Sequence, residues 1–351
     1  MTGDLLRAPA RVDLLSPQQL AGQRVIYSYS GLTPPDSLLA HIRNGEAAGV
    51  IFFSTNISSV SQISSVAAQL EAANASATNP VRAPLLLMTD QEGGKVQRVP
   101  GQVLPSAKAV GASSDPVAQA AQLGTNAGTM LKGVGMNVNL APVLDVYRQA
   151  GNFIDGLGRS FSMDPALVSQ CGASFITAQQ KLSVAATGKH FPGLGAAAAG
   201  QNTDSVPVTL DLSLDSLRSI DEFPYKAAIA AGVRLIMPSW AIYPALAPGV
   251  PAGLSSAIVQ GELRQRLGFK GVTMTDAMEA GAVQSFGTTG QVALLAAGAG
   301  MDLMLCSGRS VPQGEAALSS LQGAYTSGSL GKADFQAAVQ RVLDLRSSVW
   351  G

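Results

Sequence analysis

The sequence predicts an α/β fold, a (β/α)8 barrel of TIM type in a single domain over residues 1–351, and three observations predict it. Short runs of β-branched and large aliphatic residues recur eight times, longer segments with helical caps separate them, and most of the runs are continuous rather than alternating. Continuous apolar runs suit strands buried on both faces, which is the condition of a parallel sheet covered by helices. Eight repeats of strand then helix are the number that closes a barrel. A doubly wound open sheet shares the alternation, but no strand-linked GxGxxG fingerprint accompanies it.

Taken in order, the predicted strands are Arg24–Ser30, Gly49–Ser54, Pro84–Asp90, Met136–Val143, Val184–Phe191, Arg234–Trp240, Gly271–Asp276 and Met301–Ser307. Helical segments lie between them at Val60–Asn74, Pro116–Gly133, Pro165–Lys181, Asp221–Ala231 and Ser256–Leu267. Asp115-Pro116 and Asp164-Pro165 each supply a capping carboxylate and a proline at the first helical position, and several segments close near glycine. The most apolar window, Val292 to Cys306, is split by glycines and by Asp302, so it reads as a helix leading into a strand and not as a membrane span. Residues 313–351 hold two further helical stretches. The second, Lys332–Ser348, places Phe335, Val339, Val342 and Leu345 on one side and is expected to pack on the barrel as a closing helix. Residues 1–19 read as an N-terminal extension, and no Pro/Gly/Ser-rich linker divides the chain.

Composition excludes several function classes. Apolar residues make up 46% and charged residues 13%, enough for a sizeable core and too little charge for a disordered chain. The 23 basic residues balance 23 acidic ones without a Lys/Arg cluster, which argues against nucleic acid and anionic membranes as partners. Cys171 and Cys306 sit in apolar segments without metal-ligand spacing and read as small core residues. Arg7 and Arg11 break up the only leucine-bearing stretch before Ser16, so no export signal is legible; the expected location is secreted or cell-envelope if a signal has been removed, and cytoplasmic otherwise.

Barrel enzymes build their sites at the C-terminal ends of the strands. Those positions hold Asp90, Asp145, His190, Ser239 and Asp276, followed closely by Glu92, Arg98, Arg159 and Asp204, with Lys189 next to His190. Carboxylates that end apolar strands are costly unless paired or functional, and helix capping accounts for only one or two of them. Together they suit a neutral polyhydroxylated ligand, offering acceptors and donors for hydroxyls, with Trp240 as an apolar face if it points inward, although core or rim packing is the commoner role of such a residue. A Schiff-base aldolase acting through Lys189 is a competing enzyme class, and a non-catalytic glycan-binding barrel is another.

The stretches DQEGGKVQRV (Asp90–Val99), GRSFSMDP (Gly158–Pro165), KHFPG (Lys189–Gly193), YPAL (Tyr243–Leu246), LRQRLGFKGVTMTDAM (Leu263–Met278) and AGAGMDLML (Ala297–Leu305) together resemble glycoside hydrolase family 3, in particular its single-barrel β-N-acetylglucosaminidase branch. The motifs stand in the family's order across residues 20–348. The resemblance implies a retaining exo-hydrolase that removes terminal N-acetylglucosamine from cell-wall or chitin-derived glycans without a metal or organic cofactor. By the same resemblance Asp276 matches the nucleophile, Asp90 the group that holds distal sugar hydroxyls, and Arg98, Arg159, Lys189 and His190 the substrate-binding donors. The chain departs from the pattern at one point. The family branch carries its acid/base histidine on the loop after KHFPG, two positions beyond an aspartate; here Asp204 is present and Val206 stands where the histidine would be. His41, placed at the far end of a helix before the second strand, is not positioned to replace it. The expectation is that Asp204 is itself the acid/base, and the alternative is a barrel that binds glycan with little or no hydrolysis.

Overall fold

The computed structural model describes residues 12–349. Its strands are β1 (Val25–Tyr27), β2 (Gly49–Ile51), β3 (Leu86–Thr89), β4 (Gln91–Gly93), β5 (Val96–Gln97), β6 (Val138–Asn139), β7 (Ala185–Phe191), β8 (Leu235–Pro238), β9 (Val272–Thr273) and β10 (Met304–Leu305). Eight of them form one sheet in the order β10-β1-β2-β3-β6-β7-β8-β9, with every neighbouring pair parallel. A parallel bridge between Met274 and Leu303 joins the two ends, and the Asp302 and Leu303 N–H groups donate to the Thr273 carbonyl, so the sheet curls into a ring. All eight predicted strands are present, each with a ladder shorter than its apolar run.

Side chains alternate across the wall. Ile26, Leu86, Met88, Val138, Leu235 and Leu303 fill the barrel interior in one cluster. Val25, Tyr27, Val50, Leu85 and Leu87 point outward into a second cluster shared with the helices. Burial of both faces is the reason these strands read as unbroken apolar runs. Helices Val60–Asn74 and Pro116–Gly133 occupy the predicted residues, with Ser59 and Asp115 as side-chain caps. Thr289–Ala299 leads into β10 and ends at Gly300 with φ of 100°, a left-handed turn that glycine adopts without steric cost.

The N-terminal end of the barrel is sealed. Val342 and Leu345 of the helix Lys332–Ser348, with Val349 just past its end, enter the interior cluster from below. Arg346, fully buried, donates through Nε to the Pro84 carbonyl (2.7 Å) and through Nη2 to the Ala83 carbonyl (2.8 Å) just before β3 begins. Buried Asp302 accepts from Arg264 and Arg341, each at 2.7 Å. The cavity that gathers the strand-end charges opens at the other, C-terminal end.

Three features differ from the sequence reading. A hairpin of β4 and β5 follows β3 directly, where only a loop was expected. Residues 1–11 of the expected extension lie outside the described residues, while Pro17–Gly22, which begins within it, is a helix capped by the reciprocal bonds of Ser16 and Gln19. The segment expected to be helical from Asp221 opens with a wide i→i+5 turn over Leu217–Asp221 before the helix Phe223–Ala230, and Ala257–Arg266 keeps the wide form throughout. Trp240 takes the core role favoured for it: it is fully buried and donates its indole N–H to the Ala277 carbonyl at 2.8 Å, so it props the turn after β9 and offers no face to a ligand.

Candidate active site

A cavity of about 450 Å³ opens at the C-terminal ends of the strands, and Asp90, Arg98, Arg159, Lys189, His190, Asp204 and Asp276 all line it. The structure thus brings together the seven residues given a site role from the sequence, from chain positions nearly two hundred residues apart; of the other strand-end residues, Asp145 lies behind the cavity, and buried Ser239 accepts the Ala241 N–H at 2.9 Å and is not among the lining residues.

On one side stands a cluster of matched charges. Lys189, on β7, reaches Asp90 Oδ1 at 2.7 Å and Glu92 Oε1 at 2.8 Å. Arg159 grips the same Glu92 with two bonds, Nε to Oε2 at 2.9 Å and Nη2 to Oε1 at 2.7 Å. Burial opposes the charge on Glu92, but Arg159 and Lys189 outweigh it and hold the carboxyl well below the usual range. Burial likewise works against the Lys189 ammonium, and Asp90 and Glu92 overcome it, raising its pKa above the ordinary lysine value. A lysine kept protonated in this way is a donor, not an amine nucleophile, and this removes the aldolase reading. Arg98 is brought in by the hairpin: buried Gln91 accepts through Oε1 from the Arg98 and Val99 N–H groups at 2.9 and 3.0 Å.

Behind this cluster, fully buried Asp145 takes three bonds. Oδ2 accepts from His190 Nδ1 at 2.7 Å, while Oδ1 accepts the backbone N–H of His190 at 3.2 Å and of Leu194 at 2.6 Å. Burial resists the ionised form, and His190 with the two N–H groups more than offsets it, so the Asp145 pKa is lowered. A carboxylate only accepts, so the imidazole proton sits on Nδ1 and Nε2 turns toward Arg159 at 3.5 Å. Asp145 also fixes the first residues of the loop after β7, which the Arg148 N–H holds again at the Gly195 carbonyl (2.9 Å). Ala196–Ala199 are non-helical, with turns at Ala196 and Ala199 and Ala197 buried.

On the other side Asp204 and Asp276 face each other, and among the described residues neither carboxylate forms an ion pair. Asp276 follows β9 and accepts only the Ala277 N–H at 2.8 Å. Asp204 arrives on the loop after β7, which docks on the segment following Asp276: the Gly281 N–H donates to the Asp204 carbonyl (2.8 Å) and the Ala282 N–H to that of Thr203 (3.1 Å). This docking needs glycine at 281, where a Cβ would stand 2.2 Å from the Ser205 carbonyl oxygen. Desolvation and then the charge of Asp276 push the Asp204 carboxyl up to about 6, although the residue stays open to solvent on its outer side. His41 lies outside the cavity, between Glu46 (2.7 Å) and Glu315 (3.1 Å).

The cavity also contains residues the sequence reading passed over. Phe53, Phe153, Leu157, Glu279, Ser307 and Arg309 line its mouth. Ser307 ends the predicted strand Met301–Ser307 and Arg309 follows it, the same signal that singled out the other residues, so reading that strand end as well would have found them.

A family model described as the glycosyl hydrolase family 3 N-terminal domain matches residues 18–345. An uncharacterized secreted glycosyl hydrolase from Arthroderma benhamiae is 48% identical over 93% of this chain and 92% of its own length. A β-hexosaminidase from Stenotrophomonas maltophilia is 35% identical over 70% of this chain and 72% of its own. Among solved structures, a family 3 β-N-acetylglucosaminidase from Paenibacillus superposes with a TM-score of 0.89 at 34% identity over 96% of this chain, which spans 64% of that protein. A β-N-acetylhexosaminidase from Beutenbergia cavernae does so with 0.86 at 30% identity, covering 95% of this chain and 98% of its own. With the barrel, the strand-end cluster and the full-length match in agreement, the chain belongs to glycosyl hydrolase family 3.

Proposed function

We propose that this β-hexosaminidase-like hydrolase is a retaining exo-β-N-acetylglucosaminidase in which Asp276 is the nucleophile and Asp204 the acid/base. The observation that carries the reading is the pairing of Asp276 with an Asp204 carboxyl raised to about 6 across the mouth of one cavity. Two carboxylates whose environments separate their proton affinities are the working parts of a retaining glycosidase. Asp90, Arg98, Arg159, Lys189 and His190 hold the hydroxyls of the terminal sugar, with Glu92 and Asp145 fixing them in place. In the first step protonated Asp204 gives its proton to the leaving oxygen while Asp276 forms an ester with the anomeric carbon. Esterification removes the Asp276 charge, which is one of the causes holding the Asp204 pKa up, so Asp204 becomes a better base for the water that follows. Terminal N-acetylglucosamine of cell-wall or chitin fragments is the proposed substrate, and an extracellular or envelope location agrees with the secreted description of the Arthroderma relative.

The binding-only alternative rests on Val206, which occupies the expected histidine position and is 42% exposed. One comparison separates the two: hydrolysis of an aryl N-acetylglucosaminide with net retention, measured by NMR, supports the enzyme. Binding of the sugar without release of the aryl group from either activated or poor leaving-group substrates overturns it.

A further inference from the structure

At the end of the barrel opposite the active-site cavity, a separate cleft of about 280 Å³ lies between the starts of β8 and β9 and the closing helix Lys332–Ser348. Val233, Val272 and Leu345 give it an apolar lining, and Arg234, Lys270 and Arg341 bring cations to it from three separate segments. Arg341 and Arg264 both bind buried Asp302 at 2.7 Å, and Arg264 Nη1 also donates to the carbonyl of the cleft residue Gly271 at 3.1 Å. Arg24 joins them, donating to the Asp302 main-chain carbonyl at 3.2 Å. Three guanidiniums thus crowd around one carboxylate. Burial lowers the Arg264 pKa, Asp302 opposes this, and the Arg341 charge lowers it again, the mark of cations in excess. Arg234 and Lys270 enlarge that excess: among the described residues neither forms an ion pair, and Lys270 is exposed. Two negative features oppose them. Asp344 lines the cleft, its Oδ1 already accepting from Gln340 Nε2 at 2.8 Å, and the helix ends here with a partial charge of about −0.5. Five cations against two carboxylates and a helix end leave the cleft positive.

We propose that this cleft is a binding site for a small phosphate-class oxyanion, which bridges the closing helix and the starts of β8 and β9. Arg341 holds Asp302 through Nε and Nη2 and keeps Nη1 for the anion, while Arg234 and Lys270 approach from the strand side. A tetrahedral anion of charge near −2 offers oxygens in several directions and neutralises more of the excess than a single carboxylate does. The site does not depend on the proposed hydrolase activity, because Arg234, Lys270 and Arg341 lie outside the active-site cavity.

The test is calorimetric titration of the full chain with inorganic phosphate and with pyrophosphate at low salt. Pyrophosphate is expected to bind with a Kd of about 1 mM or below and phosphate more weakly, both losing affinity as ionic strength rises. At about 10 mM, pyrophosphate is expected to raise the thermal unfolding midpoint by about 2 °C. The double variant Arg234→Gln, Lys270→Gln is expected to bind at least about tenfold more weakly, and the charge-conserving pair Arg234→Lys, Lys270→Arg to keep most of the affinity. Asp344→Asn, which removes the opposing carboxylate, is expected to tighten binding about threefold, a gain that misfolding cannot mimic. No binding of either anion by the parent overturns the site, and so does an affinity unchanged by the double variant or by Asp344→Asn. Attachment of the parent to anionic phospholipid vesicles without binding of the free anions also overturns it, in favour of a membrane-facing surface.

Discussion

The two walls of the cavity are built on opposite electrostatic plans. On the β3–β7 wall each carboxylate has its partner: Asp90 and Glu92 share Lys189, Glu92 is clasped by Arg159, and Asp145 is saturated by His190 and two N–H groups. Across the mouth, the Asp276 carboxylate accepts the Ala277 N–H, the Asp204 loop is held through its main chain, and the Asp204 carboxyl facing Asp276 has a raised proton affinity. A group that must hold a ligand in one geometry gains from charges already compensated, because little reorganises when the ligand arrives. A group that must exchange protons or form a bond needs the opposite, a charge left uncompensated so that its affinity can change during the reaction.

The strongest way to break this contrast is Asp276→Asn. Turnover of aryl N-acetylglucosaminides is expected to fall by more than about 10³-fold while product binding stays largely intact. Retained activity above a few per cent removes Asp276 from the nucleophile role. Asp204→Ala comes next: about 10²- to 10³-fold slower cleavage of poor leaving groups, less than about 10-fold for activated ones, and azide rescue of the latter. Because Asp204 must be protonated to act as an acid, kcat/KM for a poor leaving group is expected to fall as pH rises through about 6. A profile flat from pH 5 to 8 would place the acid elsewhere.

The paired wall answers to different measurements. Glu92→Gln leaves Lys189 with Asp90 but strips Arg159 of its buried acceptor, so a loss of about 2–3 kcal/mol in chemical denaturation and a raised KM are expected together. Unchanged stability would mean the cluster is not held by its charges. The smallest effect is expected from Gly281→Ala. The added methyl would push the Ser205 carbonyl away and shift the Asp204 loop, slowing poor leaving groups about 10-fold with activated substrates nearly unaffected. Equal rates on both substrates for this variant would show that the loop's docking on Gly281 does not aim Asp204.

The matched wall was the more legible half in the sequence. Asp90, Glu92, Lys189 and His190 sit at the ends of apolar strands, where an ionisable residue stands out against its neighbours. Asp145 was visible there too, yet its hold on both His190 and Leu194 was not, because those contacts span more than forty residues and depend on the adjacency of β6 and β7. The hairpin β4–β5 escaped because its strands are three and two residues long, too short for an alternating pattern. Trp240 illustrates the converse: period-two alternation leaves open which face a strand-end aromatic takes, and here packing turned it beneath Ala277.

By itself the sequence determined the barrel, the open end of it and the identities of the charged residues on its rim. Strands buried on both faces must be apolar throughout, and the helices between them carry their own caps, so these features are written locally. Only the tertiary structure decided which charges cancel and which do not. Ionisation depends on burial and on neighbours a few ångströms away, and ring closure supplies those neighbours from distant parts of the chain: Arg159 for Glu92, Asp276 for Asp204, and Phe53 for Arg309.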